Sequence, residues 1–343
     1  MSKSSQHTPE LKDDLKLEIG LNAAIIMIDQ NQPHSLIIPS QQNLDTPPTP
    51  YESRICSLPF GPFSPYEHRT LEIGLRSWVL AQTDLELGYV EQLYSFADRG
   101  RHAQLHDVDS HFVSIGYLAL THNQNAKASK EATWQSWYTY FPWEDWRSGK
   151  PSILNEEIEP RLTEWAHAPS NTDQSVSPLK RRERLRICFG MEGGNWDEEK
   201  ALERYELLYE AGLVQEAIRD KRNAAQYWQN IPAFGEVMIY DHRRILATAM
   251  GRLRGKIKYR PVIFELMPDV FTLFDLQKTV EAISGRHIHK QNFRRLVEGA
   301  GLVEPTSQVS QNTGGRPAKL FRFRREVLLE RPAPGVRVSS SKN

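Results

Sequence analysis

The stretch HKQNFRRLVEGAGLVEP, from His289 to Pro305, combines an apolar stripe with a cationic one. The apolar positions Phe293, Leu296, Val297 and Ala300 follow the i, i+3, i+4, i+7 spacing of an amphipathic helix. The outward side of that helix would carry Lys290, Gln291, Asn292, Arg294 and Arg295. Such a helix is either an ordinary solvated surface or one shaped to enter a DNA groove, so the flanking sequence has to decide between the two.

A second helix and a hairpin flank this stretch. FTLFDLQKTVEAISG, residues 271–285, predicts a helix with Thr272 as its N-cap and Gly285 at its end. Beyond the first stretch, LVEP and KLFRF predict two strands joined by the tip NTGGRPA. Two helices, a tight turn and a hairpin in this order are typical of a winged helix-turn-helix, whose second helix lies in the major groove.

The residue types in this module suit contacts with DNA. Arginine and lysine hydrogen-bond guanine edges, and glutamine or asparagine pairs with adenine. An arginine at a wing tip can enter a narrow minor groove, and cations outside the recognition helix suit phosphates. The predicted DNA contacts are Thr272, Lys290, Gln291, Asn292, Arg294, Arg295, Arg316, Lys319, Lys256 and Lys258.

Charge is distributed unevenly along the chain, although 43 Lys and Arg balance 43 Asp and Glu overall. Residues 241–331 hold 18 basic and 9 acidic residues, whereas residues 1–240 hold 23 basic and 34 acidic ones. This division indicates that the two parts face different partners, and the basic part is the candidate for a polyanion.

Length and composition limit the class of protein. A chain of 343 residues with 39% hydrophobic residues predicts two globular domains. We expect disordered ends at 1–18 and 332–343, a sensor domain at 19–240, and a DNA-binding domain at 241–331 that begins with a connecting helix. No apolar run has the length of a membrane span and no signal peptide is evident, so we expect a cytoplasmic, nucleoid-associated protein with no membrane partner. Cys56 and Cys188 fit neither a disulfide framework nor a zinc site.

The first part of the chain reads as mixed α and β. Predicted strands are NAAIIMID, HSLIIPS, YVEQLYSFAD and FVSIGYLALT, with a helix in EHRTLEIGLRSWVLAQT and a proline-rich loop, DTPPTPYES. Residues 122–176 are predicted to be irregular and include the tryptophan-rich WQSWYTYFPWEDW. Residues 196–220 predict one helix capped near Asp197, and residues 241–259 predict another with a cationic face.

The segment LPFGPFSPYEHRTLEIGLRSWVLAQT, residues 58–83, matches part of a Nudix box. Gly61 and Glu67 fit its opening and, with one extra residue allowed, Arg76 and Trp78 fit its arginine and apolar positions. The positions of its three glutamates hold Ser77, Leu80 and Ala81. Magnesium needs carboxylate oxygens, so the sequence predicts neither a metal site nor catalytic residues here.

The whole arrangement resembles the Nudix-related transcriptional regulators of NAD metabolism. The resemblance is strongest at LGYVEQLYSFADRGR, at residues 241–273, at the opening stretch, and at GGRPAKLFRF. It implies an α+β protein, with a degenerate Nudix-like α/β/α sandwich followed by a C-terminal winged helix-turn-helix. Length and the tryptophan-rich insertion are more similar to the alphaproteobacterial branch, which controls de novo NAD synthesis, than to the shorter branch, which senses ADP-ribose.

The same resemblance implies a function. A dimeric repressor of NAD biosynthesis genes would bind a palindromic operator and respond to an adenine nucleotide (NAD, ATP or ADP-ribose) without a required cofactor. In YSFADRGR, arginines suit a pyrophosphate and aromatic rings suit an adenine. The candidate nucleotide contacts are Arg69, Arg76, Tyr94, Phe96, Asp98, Arg99 and Arg101. A plainer interpretation makes this segment a strand end with solvated arginines and core aromatics.

Two other functions stay open at this point. One is an active Nudix hydrolase that uses displaced carboxylates such as Glu67, Glu72 or Glu86. The other is a winged helix that binds a protein partner. The histidines of RHAQLHDVDSH have no standard zinc spacing, and the tryptophan-rich segment is better explained by core or dimer packing than by a ligand cage.

Overall fold

A computed structural model describes residues 16–39, 55–98, 110–122, 132–168, 179–310 and 317–330. Several predictions from the sequence lie outside these residues. They concern the proline-rich loop, the wing tip with Arg316, the arginines Arg99 and Arg101, the histidines His102 and His106, and the chain ends 1–15 and 332–343. Residues 16–18, which were expected to be disordered, belong to the first strand, so that expectation is wrong for them.

Strands predominate in the first part of the chain, and helices predominate afterwards. The strands are β1 (Lys16–Asp29), β2 (Gln32–Pro39), β3 (Cys56–Ser57), β4 (Phe60–Pro62), β5 (Tyr89–Phe96), β6 (Ser110–Leu120), β7 (Thr133–Ser136), β8 (Phe271–Thr272), β9 (Val303–Ser310) and β10 (Ala318–Phe323). The helices are α1 (Leu71–Thr83), α2 (Trp137–Tyr140), α3 (Glu159–His167), α4 (Arg181–Phe189), α5 (Ala201–Glu210), α6 (Gln215–Arg219), α7 (His242–Lys256), α8 (Leu273–Ser284), α9 (Lys290–Gly299) and α10 (Val327–Glu330).

Within the described ranges, seven strands form one sheet in the order β3-β2-β1-β6-β5, with β4 against β1 and β7 against β2. The β1–β6 pair is parallel and the other pairs are antiparallel. The predicted hairpin of β1 and β2 is confirmed, and its turn places Gln30 and Asn31 at positive φ.

The two faces of this sheet carry separate apolar clusters. Leu21 and Ile25 of β1 pack with Val79 of α1, whereas Ala24 and Ile26 point into the larger cluster that contains α7. Successive strand residues point to opposite faces, so both faces of β1 are apolar because both are covered. The predicted α/β/α sandwich is confirmed.

The segment 122–176 is more ordered than the sequence suggested. It contributes β7, α2 and α3, so the prediction of an irregular stretch is wrong for these parts. Trp137 and Trp143 are completely buried, and they belong to the same cluster as α7. Core packing therefore explains this part of the tryptophan-rich segment.

The single helix predicted for residues 196–220 is also wrong. It is divided into α5 and α6 by a turn at Gly212, where φ is +75°. A side chain at this glycine would overlap the backbone of Ala224 and Ala225, which accounts for the break. Asp197 caps the start of this region as predicted, because its carboxylate accepts from the Glu199 N–H.

The C-terminal part forms a winged helix-turn-helix, as predicted. Thr272 caps α8, Gly285 ends it at a φ of +70°, and Phe293 and Val297 of α9 are completely buried. In the part of the chain that the structure describes, β8, β10 and β9 form a sheet of three strands beside these helices. No helix in the described ranges has both the length and the apolar character needed to cross a bilayer.

Candidate nucleic-acid interface

Helix α9 presents its polar side to solvent. Lys290, Gln291, Asn292, Arg294 and Arg295 are all exposed, while the opposite side is fixed by buried apolar residues. Among the residues described, no carboxylate forms an ion pair with the cations of this helix. The exposed side therefore offers donors for base edges and phosphates that are not already engaged.

The turn before α9 is held by the buried carboxylate of Glu281, whose residue is 2% exposed. One oxygen accepts from Gln277 Nε2 at 2.9 Å and from the Ile288 N–H at 3.0 Å, and the other accepts from Lys278 Nζ at 2.8 Å. Burial acts to raise the pKa of Glu281, but these hydrogen bonds outweigh it and the pKa is lowered. Glu281 therefore stays charged and positions the start of α9.

Glu281→Gln should lower the free energy of unfolding by about 1–3 kcal/mol at neutral pH, because a buried acceptor loses its charge and one of its donors. The folded pKa lies below the unfolded value, so the stabilisation is present above the unfolded pKa and is lost as pH falls through the folded one. Urea unfolding at pH 7 and at stepwise lower pH measures the difference. The exposed Glu265→Gln variant is the control, and equal stabilities for the two variants would contradict the assigned role.

One of the other predicted DNA contacts stabilises the fold. Thr272 is 8% exposed, and its hydroxyl accepts from the Asp275 N–H at 3.1 Å, so its side chain serves first as a helix cap. Lys319 is exposed on β10, and its contact with a phosphate stays a prediction.

The cationic face predicted for the 241–259 helix is wrong. Arg243 and Arg254 are buried, Lys256 pairs with Glu91, and Lys258 pairs with Glu198 and Glu199. This helix, α7, also packs against β1, β5 and β6. Lys256 and Lys258 thus join neighbouring elements, and a DNA phosphate would have to replace their carboxylate partners.

One predicted nucleotide contact, Phe96, is not accessible. It is 1% exposed, and the Arg244 guanidinium lies 4.8 Å from its ring centroid. The stacking role proposed for Phe96 is therefore wrong, because no surface of the ring is open to an adenine. Tyr94, next but one along β5, is 61% exposed and stays a candidate for stacking.

Asp98 ties the end of β5 to α7. Its carboxylate pairs with Arg244, which also pairs with Glu206 and Asp241. The sequence analysis missed Arg244, because it stands beside Arg243 and looks like one more surface cation. Asp98, just after β5, is therefore in direct contact with the helix that leads to the winged module.

The two arginines near the Nudix-like helix differ. Arg69 is exposed, whereas Arg76 bonds to Glu72 Oε1 at 2.9 Å and to the carbonyls of Leu87 and Gly88. Arg76 thus holds α1 to the segment that leads into β5. Only Arg69 of this pair is placed to offer its guanidinium to a ligand without giving up these bonds.

Local contacts hold the segment that matches part of a Nudix box. The Gly61 backbone packs against the Trp78 ring, and Trp78 Nε1 donates to the Pro62 carbonyl at 2.8 Å. Ser77 Oγ lies 3.2 Å from His68 Nε2, and Leu80 is 45% exposed. In the described ranges, no three side chains among His, Cys, Asp and Glu are grouped to hold a metal.

A cavity of about 330 Å³ lies elsewhere, between α7 and the chain entering α5. Its polar lining includes Asp197, Glu199 and Glu203, with Lys200 and Arg252. Acids outnumber cations there, which disfavours a pyrophosphate. It does not coincide with the predicted nucleotide contacts.

Residues 263–323 match the family model described as the NrtR DNA-binding winged helix domain. The C-terminal module is therefore similar to the NrtR winged helix. Its matched range runs from the turn before β8 to the end of β10, so it contains α8, α9 and both strands of the wing. The helix predicted from His289–Pro305 is α9, the second helix of the matched range.

One curated protein is similar in sequence to part of this chain. The ADPR responsive transcriptional repressor NtrR of Acinetobacter baylyi is 42% identical over 86 residues, which are 25% of this chain and 34% of that protein. The chain thus spans about a third of the length of this curated relative.

The structure of Shewanella oneidensis NrtR complexed with a 27mer DNA is similar to this chain, with a TM-score of 0.52 at 17% identity and with 90% of this chain and 94% of that chain covered. The structure of Shewanella oneidensis NrtR without DNA gives 0.51 at 17% identity, with coverages of 90% and 95%. At this identity the structures show a shared fold.

Proposed function

We propose that the protein is a transcriptional repressor whose affinity for a DNA operator is set by an adenine nucleotide bound in its Nudix-like domain. The observation that carries this proposal is the exposed cationic side of α9, seated in an NrtR winged helix. Two relatives support it, since one is named as a repressor and the other was solved with DNA.

The operator would be palindromic and the protein a homodimer acting on NAD biosynthesis genes in the cytoplasm. Two copies of α9 would then have to lie roughly 34–36 Å apart, one turn of DNA, to enter successive major grooves. A ligand that changes the angle of the helix bearing each module changes this spacing and hence the affinity.

ADP-ribose is the first effector to test, because the Acinetobacter baylyi relative is named as responsive to ADPR. NAD and ATP share its adenine and pyrophosphate and stay in the comparison. Tyr94 and Arg69 are the described candidate contacts with open side chains, while Arg99 and Arg101 would supply further donors.

Ion pairs and a hydrogen bond connect this candidate nucleotide region to the winged helix through α7. Asp98 pairs with Arg244 near the start of α7, and Glu91 of β5 pairs with Arg252 and Lys256 towards its end. Between these cations, Arg254 Nε donates to the Ile283 carbonyl of α8 at 2.8 Å. A nucleotide that moves the end of β5 would shift α7, and α7 would shift the winged module.

The Nudix-like domain is proposed to bind without hydrolysing. Of the carboxylates considered for displaced catalysis, Glu72 is paired with Arg76, and Glu67 and Glu86 are exposed. The positions of the Nudix acids hold Ser77, Leu80 and Ala81, which offer no carboxylate oxygens to a divalent cation.

The test is operator binding titrated separately with ADP-ribose, NAD and ATP. Fluorescence anisotropy at fixed salt compares the upstream region of the NAD biosynthesis genes with a scrambled duplex, and a specific site should bind at least about 10³-fold more tightly. One nucleotide should shift the operator Kd, and none should be consumed with Mg²⁺ or Mn²⁺ present. A promoter fragment unretained in dilute buffer, whatever nucleotide is added, would overturn the proposal.

A further inference from the structure

Helix α4 and the residue before it are rich in basic residues, although the first 240 residues are acidic overall. Five of the seven residues from Lys180 to Arg186 are basic and one is acidic, whereas residues 1–240 together carry 34 acidic and 23 basic residues. The sequence analysis assigned no role to this segment. A basic segment in an otherwise acidic region raises the question of which anionic partner it contacts.

Some of these cations are committed to the fold. Arg184 forms two bonds to the Glu210 carboxylate at 3.0 and 2.6 Å, and Arg181 lies 4.4 Å over the Trp165 ring. Arg182 pairs with Glu192 on the open surface, where an ion pair contributes little. Lys180 and Arg186 are exposed and, within the described ranges, no carboxylate pairs with either.

The C-terminal end of α4 lies beside the turn of the winged helix. The Arg186 carbonyl packs on Gly194, and the Phe189 ring centroid lies 6.3 Å from that of Trp196. The Trp196 carbonyl in turn accepts from Arg286 Nη2 at 3.2 Å. Arg286 belongs to the turn that immediately precedes α9, so a single buried tryptophan separates α4 from the start of the recognition helix.

We propose that α4 is a second contact with the DNA backbone, beside the groove that α9 enters. This inference rests on the proposed function. When α9 enters the major groove, the phosphates flanking that groove come close to the turn at Arg286, and the C-terminal end of α4 lies beside that turn. Lys180 and Arg186 bind those phosphates and raise affinity without reading base sequence.

The experiment is the salt dependence of operator binding by the Lys180→Gln/Arg186→Gln double variant of the full chain. Each lost phosphate contact reduces the slope of log K against log salt by about 0.9, and the dimer loses two such contacts in each protomer, so the slope should fall by about 3.6. Affinity at low salt should fall by roughly tenfold, with the ratio of operator to scrambled binding unchanged. Hydroxyl-radical footprinting of the wild type should show protection beyond the groove of α9 that the variant loses.

The matched control is Lys221→Gln/Arg222→Gln, which removes two exposed cations near the other end of α7. Arg219 bonds to the Met238 and Tyr240 carbonyls just before α7 begins, whereas Arg254 meets α8 roughly 18 Å further along that helix. This control should keep the wild-type slope, and melting curves should show both variants folded.

The outcomes separate the two proposals. A wild-type slope in the α4 variant, while operator binding persists, overturns the α4 contact and leaves the repressor standing. A changed operator-to-scrambled ratio with an unchanged slope also overturns it, because phosphate contacts do not read sequence. Absence of operator binding by the wild type overturns both.

Discussion

Replacing Arg294 and Arg295 together with alanine should weaken operator binding by about 2–6 kcal/mol for each half-site, if each arginine makes one base contact of about 1–3 kcal/mol. Both side chains are exposed on α9, so their removal takes away donors without opening the core. Phe293 and Val297, on the buried side, keep the helix seated. The loss should be larger for the operator than for scrambled DNA, since base contacts specify and phosphate contacts do not.

Anisotropy titrations with both duplexes at one salt concentration measure this loss. The Lys221→Ala/Arg222→Ala variant removes the same amount of charge away from the winged helix, so it controls for the change in net charge. The control should bind the operator nearly as the wild type does. An operator Kd unchanged in the α9 variant would remove α9 as the helix that reads the groove.

Glu144→Gln should lower the free energy of unfolding by about 3–5 kcal/mol, because it leaves two buried guanidinium groups without their shared anion. Glu144, Arg204 and Arg254 have completely buried side chains. Glu144 accepts from Arg204 Nε at 2.6 Å and from Arg204 Nη2 at 2.8 Å, and its Oε2 also accepts from Arg254. Burial acts to raise the pKa of Glu144, but the two arginines outweigh it and lower the pKa.

The effect should extend to DNA binding, since this cluster also holds the end of α8. Arg254 donates to the Ile283 carbonyl, and Tyr138 Oη donates to the Ala282 carbonyl at 2.7 Å. Denaturant unfolding compared with operator affinity measures both consequences. Glu157→Gln is the matched control, since Glu157 pairs with Arg161 at the surface and such pairs contribute about 0–1 kcal/mol. A Glu144 variant no less stable than this control would disprove the buried cluster's role.

The winged helix could be predicted in detail because its signals are local. Thr272 caps α8 through a residue three positions on, Gly285 ends it by its own conformation, and Phe293 and Val297 share one face by helical periodicity. None of these depends on a distant partner. The strands β1 and β2 were predictable for the same reason, since each short apolar run and the turn between them lie within a few residues.

The N-terminal sheet was only partly predictable. The sequence indicated most of the longer strands, but it did not show that β1 pairs in parallel with β6, some ninety residues further on. The short strands β3, β4 and β7 were missed, because two to four residues carry too little periodicity to be recognised. Their places are determined by the neighbouring strands.

The sequence by itself therefore determined where the candidate DNA-reading helix lies and which of its sides is cationic, and it placed Ser77, Leu80 and Ala81 where the resemblance to a Nudix box expects glutamates. Only the tertiary structure decided which charges are available. Arg254 and Arg295 are the same residue type in the sequence, yet one is buried against Glu144, 110 positions away, and the other faces solvent. An ion pair forms where two opposite charges lie close together in space, and the residue type alone does not indicate which charges will pair. The burial of Phe96 also depends on the tertiary structure, because Arg244 from a helix distant in sequence lies over its ring.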